Sequence, residues 1–293
     1  MYYDFETVTH GKWILAGEHA VLRGKGALVF PIKEKRLSLR YTPTPSTLSA
    51  DSEGSSGTDM RLLFWSVLEH GHQLLGTSLH QLTGHFHLDS NIPIGVGMGA
   101  SAVLCVAMAR WFAAQQLIPA SNIAPFARQL EHLFHGQSSG LDIAGVAASH
   151  PVFFQNGQVE PVQLCWQPYW YLSSCGQIGI TSHCIQQVNS LWAKDVTQAQ
   201  RIDDLMDEAV HKARNALGRS DNKALPLLAE AIRLGGDCFK QWGLVSENLH
   251  QHMNMLYDHG ALAVKPTGSG SGGYVLSLWE TPPVAVPVDL INV

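Results

Sequence analysis

Apolar and polar positions along the chain predict a sheet-rich start, a helical middle and a second helical stretch before a final hairpin. Residues 12 to 18 and 27 to 41 carry apolar and β-branched runs that read as strands, separated by the Gly24 to Gly26 turn. Residues 43 to 58, PTPSTLSADSEGSSGT, hold only Leu48 and Ala50 as apolar positions and are expected to form a mobile surface loop. Leu62, Leu63, Val67, Leu74 and Leu75 recur at near-helical spacing over 60 to 75, whereas GHFHLDS at 84 to 90 alternates like a half-buried strand. An apolar stretch from Ala100 to Ala109 opens a helix expected over roughly Ala100 to Gln116. Ser121 or Asn122 is placed to cap another helix, whose apolar face is Ile123, Phe126, Leu130, Leu133 and Phe134 and which stops at Gly136; Glu131 falls off that face. A polar turn then leads into a helix containing Asp142 and a strand near 151 to 154. After about residue 165 the pattern changes to a Trp/Tyr-rich strand at 164 to 172 and amphipathic helices near 198 to 217, 224 to 242 and 245 to 259. A strand, glycine turn and strand close the chain, and a second domain is expected from this point on.

The helix at 100 is preceded by PIGVGMGASA (93 to 102), three glycines and a serine in front of a helix start. Gly95, Gly97 and Gly99 allow positive φ and close approach of an anion, while the helix aims unpaired N–H groups and its positive dipole end at the loop. The segment therefore reads as a phosphate loop. A glycine turn that merely packs a helix against a strand is the plain alternative. No Walker pattern is present, because Gly11-Lys12 and Gly24-Lys25 are followed by Trp13 and Gly26 rather than a hydroxyl residue. Gly95, Gly97 and Ala100 formally match a dinucleotide fingerprint, but Gln115 and Gln116 stand where the ribose-binding acid belongs, which argues against a nicotinamide-dependent dehydrogenase.

With 293 residues, 45% of them hydrophobic and 15% charged, the chain can bury a full core and fill two moderate domains. A net charge of -5 with interspersed signs offers no basic footprint for nucleic acid and no polybasic membrane patch. The segment MYYDFETVTHGK lacks a basic n-region and an apolar h-region, and the apolar stretch from Ala100 is stopped by Arg110, so a cytoplasmic protein is expected. Five cysteines without a C-x-x-C pair fit reduced, mostly buried thiols. The i, i+2 histidine pairs His70/His72, His85/His87 and His250/His252 read as surface or packing residues.

Phosphoryl transfer needs a phosphate cradle, Mg²⁺ on hard oxygen ligands, a cation facing the transferred group and a carboxylate near the attacking hydroxyl. Ser101 and Glu131 are candidates for Mg²⁺, Asp142 for general base and Lys12 for its cationic partner. Each also has an ordinary reading: Glu131 as a solvated helix acid, Asp142 as the acid of an S-x-x-D capping box opened by Ser139, Lys12 as a surface lysine.

Four segments resemble the motifs of the GHMP kinase family in that family's order. GKWILAGEHAVLRGKGALVFPI at 11 to 32 is similar to the first, PIGVGMGASA to the second, EHLFHGQSSGLD at 131 to 142 to the segment bearing the metal carboxylate and the catalytic Asp, and KPTGSGSGG at 265 to 273 to the third. Ala100 replaces the first serine of the family's pair, Met98 a leucine, and Thr9-His10 an Ala-Pro. The resemblance implies an α+β fold of two domains, an N-terminal phosphate-loop domain over 1–165 and a C-terminal ferredoxin-like domain over 166–293, with the active site between them. It implies an ATP- and Mg²⁺-dependent kinase acting on a small alcohol. By likeness Asp142 and Lys12 would be catalytic, and Ser90, Gly95, Val96, Gly97, Met98, Gly99, Ala100 and Ser101 would bind nucleotide. Glu18, His19, Thr267 and Gly268 would bind the acceptor, and Ser101 with Glu131 would hold the metal. The expected partner is a small-molecule substrate, with no nucleic acid or membrane and with a homodimer allowed. A catalytically silent relative is the rival reading, which Ala100 favours and the retained Lys12, Ser101, Glu131 and Asp142 oppose.

Overall fold

A computed structural model describes residues 4–135 and 138–293. The fold is a mixture of helices and antiparallel-dominated sheet, and compact packing divides it into two units. One unit holds the chain up to Lys12, Pro31–Ile94 and Met98–Ser149; the other holds Trp13–Phe30, Gly95–Gly97 and His150–Val293. The two long first strands, β1 (Phe5–Ala16) and β2 (Ala27–Thr47), pair with each other, and each contributes residues to both units.

In the first unit β2 pairs antiparallel with β4 (Thr83–Ser90) from Leu37↔Ser90 to Thr42↔His85. β4 alternates as its sequence predicts: Phe86 and Leu88 are buried, and the intervening positions are partly exposed. The expected loop at 43 to 58 is overturned. β2 runs on to Thr47, β3 (Ser49–Glu53) pairs parallel with β4, and α1 (Gly57–Leu74) already begins at Gly57. β3 escapes hydropathy because its alternate residues are exposed; backbone bonds to β4 hold it, and they need no apolar side chain. On its face Asp51 accepts from the rings of His85 and His87 at 3.3 and 2.6 Å.

α2 (Ala100–Ala114) is buried on nearly every side by α1, α3 (Ile123–His135) and α4 (Leu141–Ala147), which explains a helix with almost no polar face. Trp111 and Phe112 extend that core through a chain of ring contacts to Phe86, Tyr41 and Phe126. Such rings each contribute on the order of 2 kcal/mol by burial. α3 departs from its expected stripe: Leu133 is 44% exposed, whereas Glu131 is buried beside Ala127 and Leu130. The stop expected at Gly136 lies outside the described residues.

In the second unit Ala27–Val29 of β2 pair with β5 (Val152–Gln155), which turns through Asn156-Gly157, both at positive φ, into β6 (Gln158–Pro161). A separate four-stranded antiparallel sheet has the order β10 (Ile291–Asn292), β7 (Tyr169–Ser174), β9 (Tyr274–Trp279), β8 (Ala263–Thr267). β7 starts later than the strand expected at 164 to 172, just past Pro168, which has no N–H for a ladder. α6 (Val196–Leu217), α7 (Ala224–Gln241) and α8 (Glu247–Asp258) form where their apolar stripes lie, with α7 packed on both α6 and β8. α5 (Thr181–Lys194) is unanticipated; only Cys184 and Val188 of it are buried, too few to mark a stripe.

Candidate active site

In the first unit Lys12 lies within β1, 2% exposed, with its backbone N–H donating to the Met98 carbonyl at 3.0 Å. Gly99 lies directly over the lysine stem: its φ of +77° suits glycine, and a Cβ there would come within 2.9 Å of Lys12 Cγ. Gly99 thus serves Lys12 as much as any anion. At the other end of the stem, Lys12 Nζ meets Asp142 Oδ1 at 2.8 Å, and the Asp142 side chain remains 31% exposed.

Asp142 stands in the first turn of α4, where a negative charge also suits the helix dipole. The capping-box reading of it is overturned. Gly140, at φ 88°, is the N-cap, no side chain caps the helix, and Ser139 Oγ only accepts the Leu141 N–H at 3.2 Å. A residue that needs positive φ at the cap displaces the serine by one position.

The reading of Glu131 as a solvated helix acid is overturned by its burial. The residue is 1% exposed; Ser138 Oγ donates to its Oε2, and its Oε1 has no partner among the described residues. Burial, reinforced by the Asp142 charge, pushes its carboxyl up to about 7, against the pull of Ser138, Lys12 and Arg128. A buried carboxylate with one orphaned oxygen is an incomplete arrangement that a cation would complete. Among the described residues no three His, Cys, Asp or Glu side chains are grouped to hold a metal by themselves. An ion there would take the rest of its shell from phosphate and water, as Mg²⁺ prefers. Ser101 is the second residue of α2 and is partly exposed. Ser90, at the end of β4, is buried, and its hydroxyl accepts the Ile92 N–H at 3.3 Å.

In the second unit the Gly95–Gly97 stretch faces the 268 to 273 turn, and the two enclose a small pocket lined by Gly95, Val96 and Gly97, by Thr267 and Ser269, and by Gly272 and Gly273. A Cβ on Gly273 would lie 3.0 Å from the Val96 carbonyl, and Gly273 itself has φ +81°, so glycine is required at this approach. The pocket wall is mostly backbone, which suits an anion held by N–H groups.

β8 continues this wall: its alternate residues Lys265 and Thr267 are turned to the segment 14 to 19, and Ser269, just past the strand, presents its carbonyl there. Lys265 Nζ donates to Glu18 Oε1 at 2.5 Å, Thr267 Oγ1 donates to the Ile14 carbonyl at 2.9 Å, and the Ile14 N–H donates back to it at 3.0 Å. His19, at a positive φ of 59° uncommon outside glycine, donates through Nε2 to the Ser269 carbonyl at 2.8 Å and packs edge-on against Phe239 and Trp242. Burial lowers His19 to about 4, so it is a neutral imidazole. Lys265, fully buried, is also lowered by burial, with Glu18 opposing. Its stem runs past Gly235 of α7, where a Cβ would lie 3.3 Å from Lys265 Cε.

The structure therefore brings Lys12, Gly99, Asp142 and Glu131 together in one unit, and Gly95, Val96, Gly97, Thr267 and Gly268 together in the other, where Glu18 and His19 are tied to β8. Sequence reasoning passed over Ser138 and Lys265. Lys265 stood inside a glycine motif with no role assigned, and nothing local marks Ser138 as a carboxylate partner.

Residues 63–150 match the model of the GHMP kinases N terminal domain. The chain is 24% identical to mevalonate kinase of Pyrococcus horikoshii, over 91% of this chain and 86% of that protein. It is 26% identical to mevalonate kinase of Archaeoglobus fulgidus, over 92% and 90%. Its fold resembles that of the L. major mevalonate kinase solved in complex with R-mevalonate, with a TM-score of 0.79 at 23% identity over 94% of this chain and 87% of that one. It also resembles Streptococcus pneumoniae phosphomevalonate kinase, with a TM-score of 0.71 at 16% identity over 94% and 92%.

Proposed function

We propose that this chain, a member of the GHMP kinases, transfers the γ-phosphoryl group of ATP to the hydroxyl of mevalonate, releasing ADP and 5-phosphomevalonate for isoprenoid precursor synthesis in the cytoplasm. The observation that carries the reading is the Lys12–Asp142 pair at 2.8 Å, with its carboxylate still reachable, beside a buried Glu131 that lacks a partner for one oxygen. Mevalonate is favoured as acceptor by relatives of that name aligned over nine-tenths of the chain. In this reading the family's two domains divide the chain at 165/166.

The triphosphate follows the backbone of Gly95, Val96, Gly97, Met98, Gly99 and Ala100 to Ser101 at the helix start, with Ser90 near the nucleotide. Ala100 offers its N–H alone, one donor fewer than a serine. Ser101 and Glu131 supply the oxygens for Mg²⁺, which when bound neutralises charge on the phosphate oxygens. Asp142 accepts the hydrogen bond of the acceptor hydroxyl and takes its proton as the oxygen attacks the γ-phosphorus and the bond to the ADP oxygen breaks. Lys12 fixes the orientation of that carboxylate and presents positive charge to the group in flight. In the second unit His19, Thr267 and Gly268 serve the acceptor, and Glu18, sealed against Lys265, holds the segment that carries His19; the neutral His19 orients a ligand without adding charge.

ADP release with Mg·ATP over mevalonate, phosphomevalonate, homoserine and galactose tests the reading. Turnover is expected on mevalonate. Preference for phosphomevalonate would move the acceptor one phosphate onward, and silence on all four with ATP still bound would sink the proposal.

A further inference from the structure

Ser138 makes three bonds around the Glu131 carboxylate. Its hydroxyl donates to Glu131 Oε2 and accepts the Gly140 N–H at 3.1 Å, while Arg128 Nε donates to its carbonyl at 3.1 Å. Arg128 and Glu131 are neighbours on α3, and Gly140 is the N-cap of the helix that carries Asp142. One serine therefore ties the buried carboxylate to the start of the helix bearing the acceptor-facing carboxylate, and its own backbone is held from α3.

The terminal torsion of a glutamate is broad and nearly two-fold, so a carboxylate with no fixed partner presents either oxygen. The bond from Ser138 removes that freedom. It occupies Oε2 and leaves Oε1, which has no partner among the described residues, as the oxygen on offer. From this geometry we infer that Ser138 is a positioning residue: it selects and holds the oxygen with which Glu131 meets the divalent cation of the nucleotide. The inference rests on the kinase reading, in which Glu131 serves that cation. Partners that orient a ligating carboxylate typically change metal affinity by about 10-fold or more when removed.

The test is calorimetric titration of ADP into wild type, Ser138→Ala, Ser138→Cys and Ser138→Thr, each with Mn²⁺ and again with EDTA. In wild type Mn²⁺ tightens ADP binding. In Ser138→Ala and in Ser138→Cys, which keeps the volume with a weaker donor, that tightening falls by about 10-fold. Affinity without metal stays the same, and Ser138→Thr restores the effect. Full tightening in both weakened variants overturns the inference. So does an equal loss with and without metal, because that marks a loop that has merely collapsed. If wild type itself shows no tightening by Mn²⁺, the kinase reading of Glu131 falls and the role of Ser138 falls with it, a result distinct from either of the others.

Discussion

Among the described residues each compact unit buries one lysine against a carboxylate, and the two pairs are built to opposite ends. Lys12 and Asp142 lie 2.8 Å apart with the lysine buried and the aspartate 31% exposed, so the carboxylate keeps an oxygen for something that arrives. Lys265 and Glu18 lie 2.5 Å apart with exposures of 0% and 2%, shut in by α7 and the Phe239 ring. The first pair holds a reachable carboxylate in place; the second fastens β8 to the segment carrying His19. The same two residue types make a site or a clamp according to whether the carboxylate can be reached, because a sealed ion pair has spent its charge on its partner.

Replacing the lysine of each pair should separate the two most clearly. Lys12→Met is expected to lower turnover by about 10² to 10³-fold, through loss of a positioned charge, while the melting temperature moves little because water reaches Asp142. Steady-state kinetics and calorimetry on one preparation check both halves. Lys265→Met should do the reverse to stability: stranding Glu18 in the core costs about 3 to 5 kcal/mol, or roughly 10 °C in melting temperature. Adding Glu18→Gln to Lys265→Met should recover most of that loss, and a double variant as unstable as the single one would show that the clamp is not a charge pair.

Glu131 is bonded to a serine rather than to a lysine. Burial raises it from 4.5 to about 7, so the folded chain without a cation keeps a proton there that the unfolded chain releases. Stability from this group is full below about pH 4.5 and is lost as pH rises through 7. Glu131→Gln, neutral at every pH, should therefore melt several degrees above wild type at pH 8 in EDTA, a gain on the order of 3 kcal/mol at most, and should lose phosphoryl transfer. Melting curves at pH 5 and pH 8 would show the gain only at the higher pH.

Much of the fold, and the places of the candidate site's residues in it, was legible because local rules act at short range. The alternation of 84 to 90, the apolar run from Ala100 and the glycines of 95 to 99 each carry their structural meaning within ten residues. β3 was hidden because an edge strand held by backbone bonds needs no apolar pattern. Burial of Glu131 was legible in principle, since it follows Ala127 by four positions on one helical face, but Leu133 drew the stripe to the wrong side. Lys265 and Glu18 are 247 residues apart, and no local period records such a pairing. The capping box at Ser139 to Asp142 was a correct local pattern that a glycine at the cap displaced.

The most direct test of the contrast between a reachable pair and a sealed one is the single-turnover rate of Asp142→Asn with Mg·ATP and mevalonate, measured beside its melting temperature. The expected result is a fall of at least about 10²-fold in rate with nucleotide still bound and melting within a few degrees of wild type. Near-normal turnover with a large fall in melting temperature would contradict it, making Lys12–Asp142 a second clamp.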